Sequence, residues 1–156
     1  MAKNILTYRG IVYPWHCDHM GHMNVMWYTS KFDEASWQLL SALGLSRSRF
    51  VQEGSGMVAV EQHTQYKRES HPGDAITIHS SLLEVKEKSL RMVHEMQSDT
   101  GGEIVATTEI VAVHIDATQR KAARIPLDVR VRAQELLPHA APAAAFSVIA
   151  GISDQA

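Results

Sequence analysis

The chain has 156 residues, of which 45% are hydrophobic, enough for one ordinary domain with a single core. Lys and Arg number 15 against 17 Asp and Glu, a formal charge of −2, which excludes a nucleic-acid binder that relies on a broad basic surface. Cys17 is the sole cysteine, so no intramolecular disulfide can form, and the apolar runs last only a few residues, far short of the roughly twenty that span a bilayer. The first residues lack the apolar stretch of a secretory signal, which makes the cytoplasm the expected compartment.

In chain order, residues 7–15 (TYRGIVYPW) combine β-branched and aromatic residues and run into Pro14, the pattern of a short strand entering a loop. Tyr28, Phe32, Ala35, Leu39, Leu40 and Leu43 then fall on one helical stripe, and Gly44 stands where that helix would end. Lys31, Glu34, Gln38 and Ser41 occupy its opposite face, which solvent or a subunit boundary would tolerate. From Met57 the period becomes two, with Val58, Val60, Gln62, Thr64 and Tyr66 alternating against Ala59, Glu61, His63, Gln65 and Lys67. Further strands are expected at residues 75–85, 89–98 and 103–116, joined by short connections that imply antiparallel neighbours. A second helix is expected over 126–137, opened by Pro126 and followed by Pro138. The pattern is one domain over residues 1–137 and an Ala- and Pro-containing tail over 138–156. One strand, one long helix and four long strands fit an α+β arrangement in which a curved antiparallel sheet wraps the helix.

Chemistry concentrates between the first strand and the helix, in Trp15-His16-Cys17-Asp18-His19-Met20-Gly21-His22-Met23-Asn24-Val25-Met26-Trp27-Tyr28. A helix N-terminus offers unpaired N–H groups and partial positive charge, so a carboxylate or a developing oxyanion beside it is stabilised. Asp18 lies just before such a terminus. Gly21 permits a tight backbone path, and His22 and Asn24 supply side-chain hydrogen bonds.

The run D-x-x-G-H-x-N, here Asp18, Gly21, His22 and Asn24, followed by a helix holding Tyr28 and Phe32-Asp33-Glu34-Ala35, resembles the 4-hydroxybenzoyl-CoA thioesterase branch of hotdog-fold enzymes. Tyr66-Lys67-Arg68 before Pro72-Gly73-Asp74, and residues 84–90 (EVKEKSL), continue the likeness, which covers roughly residues 7–129. The stretch YPWHCDHMGHMNVMWY is also similar to thioesterases acting on betainyl-CoA in carnitine breakdown. The resemblance implies a hotdog acyl-CoA thioesterase that needs neither cofactor nor metal, coenzyme A being part of the substrate. Asp18 would attack the thioester carbonyl or activate water, two roles that sequence does not separate. Val25 would contribute its backbone N–H to the oxyanion, and Lys86, Lys88 and Ser89 would meet the phosphates or pantetheine of CoA. Glu61 and Gln62 are implied as contributions from a neighbouring subunit, because such sites form across a homodimer, which pairs again into a homotetramer.

Blander readings stand beside these. Asp18 can cap a turn, and His22 and Asn24 can fix the loop without touching substrate. Cys17, Asp18, His19 and His22 are metal-ligand types, but near-adjacent residues seldom converge on one ion, so a metal is not expected. Cys17 reads as packing. Trp15, Trp27 and Trp37 read as core before acyl-pocket lining, and Lys67, Arg68 and Arg91 as solvated strand charges. Two other classes remain open: a hotdog hydratase or dehydratase using Asp18 with His22, and a non-catalytic acyl-CoA binding module.

Overall fold

The structure, a computed structural model, describes residues 4–138, so nearly all of the expected tail lies outside it. The order is β1 (Ile5–Ile11), a 3-10 turn (Pro14–His16), α1 (Val25–Ala42), α2 (Arg47–Glu53), β2 (Ser55–Tyr66), β3 (Ala75–Val85), β4 (Ser89–Ser98), β5 (Ile104–Asp116), β6 (Lys121–Ala122) and α3 (Leu127–Leu136). The strands form one antiparallel sheet in the order β1-β3-β4-β5-β2, with β6 paired to β5. This is the expected α+β hotdog arrangement, a sheet curled round α1.

The predicted stripe of α1 is its buried face. Phe32, Ala35, Leu39 and Leu43 are fully buried, with Tyr28 and Leu40 nearly so. Fully burying a large apolar side chain is worth about 1.5–3 kcal/mol, more than a helix cap supplies, so packing rather than propensity holds the helix here. Its C-terminus turns out of the helix at Gly44, whose φ of 93° suits a residue without Cβ. Toward the Gly44 end, Leu39 and Leu43 join Leu82, Leu90, Met92 and Ile110 in one cluster. Toward the other end, Tyr28 and Phe32 join Val12, Met23, Ile76 and Met96.

Three expectations need correction. Lys31 is not on a solvent face: β1 covers it, it is 3% exposed, and its Nζ donates to the Tyr8 hydroxyl at 2.8 Å and lies 5.0 Å from that ring's centroid. The strict alternation of β2 is broken between Ala59 and Glu61, where Val60 is left out of the pairing with β5. Ala59 pairs with buried Ala112, and after this bulge Gln62 pairs with Ile110 and Thr64 with Thr108, also buried. Gln62 and Thr64 therefore share the inner face with Met57 and Ala59, and not with Val58, because one surplus residue shifts a period-two pattern by one step. Finally, Trp15 (64% exposed) and Trp37 (47%) are not core. Trp15 stacks on Tyr13 with centroids 4.4 Å apart, and Trp37 meets Phe50 edge-on. Helix α2 and strand β6 were not foreseen.

Candidate active site

The loop carrying Asp18 is held as a small hairpin. Asp18 N–H donates to His22 O, Gly21 N–H to Asp18 O, Met23 N–H to Ser70 O and Asn24 N–H to His16 O, at 2.8 to 3.2 Å. Gly21, at φ 85°, supplies the left-handed backbone that closes the turn. The Asp18 carboxylate uses both oxygens: Oδ1 accepts from Met20 N–H at 2.8 Å, and Oδ2 accepts from Asn24 Nδ2 at 2.7 Å. Asp18 is thus a turn-former and is also tied to the helix start, because Asn24 is the N-cap of α1 and its Oδ1 accepts from Met26 N–H at 2.9 Å.

One Asn24 amide therefore spans the first turn of α1 and the carboxylate. The donors of Asn24 and Met20, in that order, hold the Asp18 carboxyl below its ordinary range, with nearby His19 and His22 adding smaller pulls the same way. Asp18 is ionised at neutral pH. Val25 is the first residue of α1, so its N–H has no intrahelical acceptor and adds to the positive end of the helix.

His22 turns elsewhere. Its Nε2 lies 3.6 Å from Glu69, which also lies 3.6 Å from His71, and its Nδ1 is 3.5 Å from Met23 O. Beside it, Val25, Tyr28, Tyr66 and Arg68 line an open cleft of about 220 Å³. Arg68 pairs with Glu103 at 3.1 Å. His16, buried and accepting from Tyr13 N–H through Nδ1 at 3.0 Å, has its pKa lowered by burial and by Lys31. Among the described residues no three His, Cys, Asp or Glu side chains converge as a metal would require.

A second cleft, also of about 220 Å³, runs between α1 and β2 and is lined by Thr29, Asp33, Trp37, Met57, Gln62 and Ile110 among others. It begins one turn beyond Val25, since the Thr29 hydroxyl donates to Val25 O at 3.3 Å. Gln62 reaches it because of the Val60 bulge, which no sequence period reveals. Asp18 lines neither of these two clefts.

Lys86 and Ser89 lie elsewhere, on the outer sheet face, in a groove with Glu61, His63, Glu84, Arg91 and Glu109. Lys86 pairs with Glu84 at 3.2 Å and Arg91 with Glu109 at 2.6 Å, so Arg91 is not the solvated charge expected. Lys88 is exposed beside it. Ile11, at the Asp18 end, pairs with Ala75 at the start of β3, whereas Lys86 follows its last residue, Val85. Ten strand steps put the two ends on the order of 30 Å apart.

Residues 12–133 match the family described as the thioesterase-like superfamily. The chain belongs to that family. It is 24% identical over 136 residues to the betainyl-CoA thioesterase of Pseudomonas aeruginosa, covering 87% of this chain and 86% of that protein. It is 28% identical over 115 residues to the L-carnitine dehydrogenase/betainyl-CoA thioesterase of Rhizobium meliloti, covering 74% of this chain but 23% of that two-function protein, so it spans about a quarter of that relative's length. Among solved structures, a gentisyl-coenzyme A thioesterase superposes with a TM-score of 0.72 at 27% identity, covering 81% of this chain and 98% of that one. Among the described residues of this family member, no helix is long and apolar enough to cross a membrane.

Proposed function

We propose that the protein is an acyl-CoA thioesterase hydrolysing a small acyl-CoA to the free acid and CoA, with Asp18 as the catalytic carboxylate and Val25 N–H as oxyanion donor. The observation that carries this reading is the Asn24 bridge, which fixes an ionised carboxylate against the N-terminus of α1. A thioester carbonyl placed with its oxygen on Val25 N–H meets the positive end of the helix, where charge develops on attack. As a general base, Asp18 takes a proton from water while the water oxygen bonds to the acyl carbon; collapse breaks the C–S bond, and the thiolate leaves and is protonated. As a nucleophile, Asp18 forms a mixed anhydride and releases CoA, and water then cleaves the anhydride. A single turnover in ¹⁸O-water tests the nucleophilic route, because label enters the Asp18 side chain only where an anhydride forms and water attacks its Asp18 carbonyl.

The end-to-end separation of Asp18 from Lys86, Lys88 and Ser89 supports a site shared between two copies. β2 is an edge strand with Val58, Val60 and Tyr66 exposed along it. Joining two β2 edges across a two-fold axis brings the Tyr66 end of one copy, which shares a cleft with His22 and Val25, to the Ser55 end of the other, beside the 86–89 hairpin. Light scattering should then report an even oligomer.

The similarity to betainyl-CoA thioesterases makes betainyl-CoA the first ester to assay. Thiol release is measured across short, branched, aromatic, dicarboxylic and betainyl esters, beside Asp18→Asn. Turnover that falls by about 10²–10⁴ in the variant supports the assignment. Equal rates would remove Asp18 from the chemistry, and tight binding without thiol release would replace the enzyme by a binding module.

A further inference from the structure

The N–H that would receive the oxyanion is held by its neighbours rather than by its own side chain. Val25 opens α1, its side chain is exposed, and its N–H has no acceptor inside the helix. The direction of that N–H is therefore set by the residues on either side of it. Before it, Met23 N–H donates to Ser70 O at 2.8 Å. After it, within the next turn, Tyr28 O–H donates to Arg68 O at 3.3 Å and lies 3.3 Å from Ser70 Oγ. One short segment, residues 68–70, thus holds the start of α1 on both sides of Val25.

Met23, Tyr28 and Ser70 are all buried. Burial pushes the Tyr28 phenol above its ordinary pKa, so it keeps the proton that it donates. The segment is itself fixed to the sheet. Lys67 N–H and Arg68 N–H both donate to Val105 O, at 2.9 and 3.1 Å. Past Ser70, His71 N–H donates to Asp74 Oδ2 at 2.7 Å, and Val12 N–H to Asp74 O at 2.9 Å. Glu69 adds only its exposed approach to His22 at 3.6 Å, too solvated to carry the alignment. A misplacement of about 1 Å caused away from the chemistry can cost on the order of 10² in rate, so a slight tilt of this first turn is felt at the oxyanion.

We propose that Ser70 is a positioning residue: its carbonyl and its hydroxyl, acting through Met23 and Tyr28, aim Val25 N–H at the thioester oxygen. This rests on the thioesterase reading and adds to it a residue outside every motif read from the sequence. The test is a double-variant cycle on thiol release from the best ester of the panel. Ser70→Ala keeps the carbonyl that Met23 uses and removes the hydroxyl. Its kcat should fall about tenfold with KM within about twofold of wild type, less than the 10²–10³ expected for loss of the donor itself. In a Val25→Pro background, which has no N–H to aim, the same change should alter kcat by less than about twofold. Tyr28→Phe keeps the ring and should lower kcat at least as far, and it carries the test if Ser70→Ala does not fold. Ser80→Ala removes another buried serine hydroxyl, one that serves His94, and should lower the unfolding temperature without moving kcat. A kcat indifferent to both Ser70→Ala and Tyr28→Phe, or a loss by the same factor with and without Val25 N–H, overturns the positioning role while leaving a working thioesterase. Failure of the folded wild type to release thiol from every ester of the panel overturns the thioesterase reading, and the positioning role falls with it.

Discussion

Asp18 and His94 both have lowered pKa values, for opposite reasons. Asp18, partly exposed, is lowered by hydrogen-bond donors, led by Asn24, which favour its charged form. His94, fully buried beneath α1, is lowered to about 4 by desolvation, which penalises its charged form. Ser36 spends its proton on Phe32 O, so His94 Nε2–H donates to Ser36 Oγ at 3.0 Å and Nδ1 accepts from Ser80 Oγ at 2.5 Å, with Thr7 completing the chain at 2.6 Å. One region keeps a charge available, and the other keeps a ring neutral as packing. The direction of a shift does not identify a site; its cause and the access to the group do.

The sharpest break is at Asp18. Asp18→Asn should lower kcat by about 10²–10⁴ while leaving urea unfolding at neutral pH almost unchanged; a large loss of stability would recast Asp18 as structural. Next, Val25→Pro deletes only the N–H, since proline suits the first helical residue and Asn24 already has the extended ψ of 146° that must precede it. Activity should fall about 10²–10³ with native circular dichroism, and unaltered activity would place the oxyanion elsewhere.

His94 should show in stability alone. Its unfolded value is 6.5 and its folded value about 4, so the unfolded state takes up the proton first. Its contribution is complete above pH 6.5 and is lost as pH falls toward 4, up to about 3 kcal/mol in all. His94→Gln should flatten that part of the unfolding-versus-pH curve, and an unchanged slope would assign the acid sensitivity to other groups. The smallest effect is at Asn24, where loss of the cap in Asn24→Ala should cost about 1 kcal/mol. The same change removes the donor that lowers Asp18, so the acid limb of the rate profile should move to higher pH. A limb that stays in place would mean that Asn24 does not tune the carboxylate.

The sequence disclosed α1 well, because a stripe of Tyr28, Phe32, Ala35, Leu39, Leu40 and Leu43 has one solution when the helix must face a core. β3 matched its expected bounds in full, and the Asp18 loop was marked by its density of polar groups. The rest depended on the partner surface. Lys31 looks solvent-facing until Tyr8 arrives from a strand twenty-three positions earlier, and the exposure of Trp15 and Trp37 cannot be read from their size. The two-fold use of Asn24 was half visible, as a side chain that hydrogen-bonds the loop, while its two partners, Met26 N–H and the Asp18 carboxylate, only the folded turn supplies. The groove holding Lys86 was hidden because Glu61, Glu84 and Glu109 join it through strand register rather than spacing.

The Val60 bulge has a further effect on the charge of the cleft. If β2 kept all its residues and ran without the bulge, Glu61 and His63 would take the inward places that Gln62 and Thr64 hold, and a second carboxylate would stand opposite Asp33. Excising Val60 would straighten the strand and keep Gln62 and Thr64 inward, because it removes the surplus residue itself. The polarity of the cleft thus depends on a parity count in the backbone as well as on which side chains the strand carries.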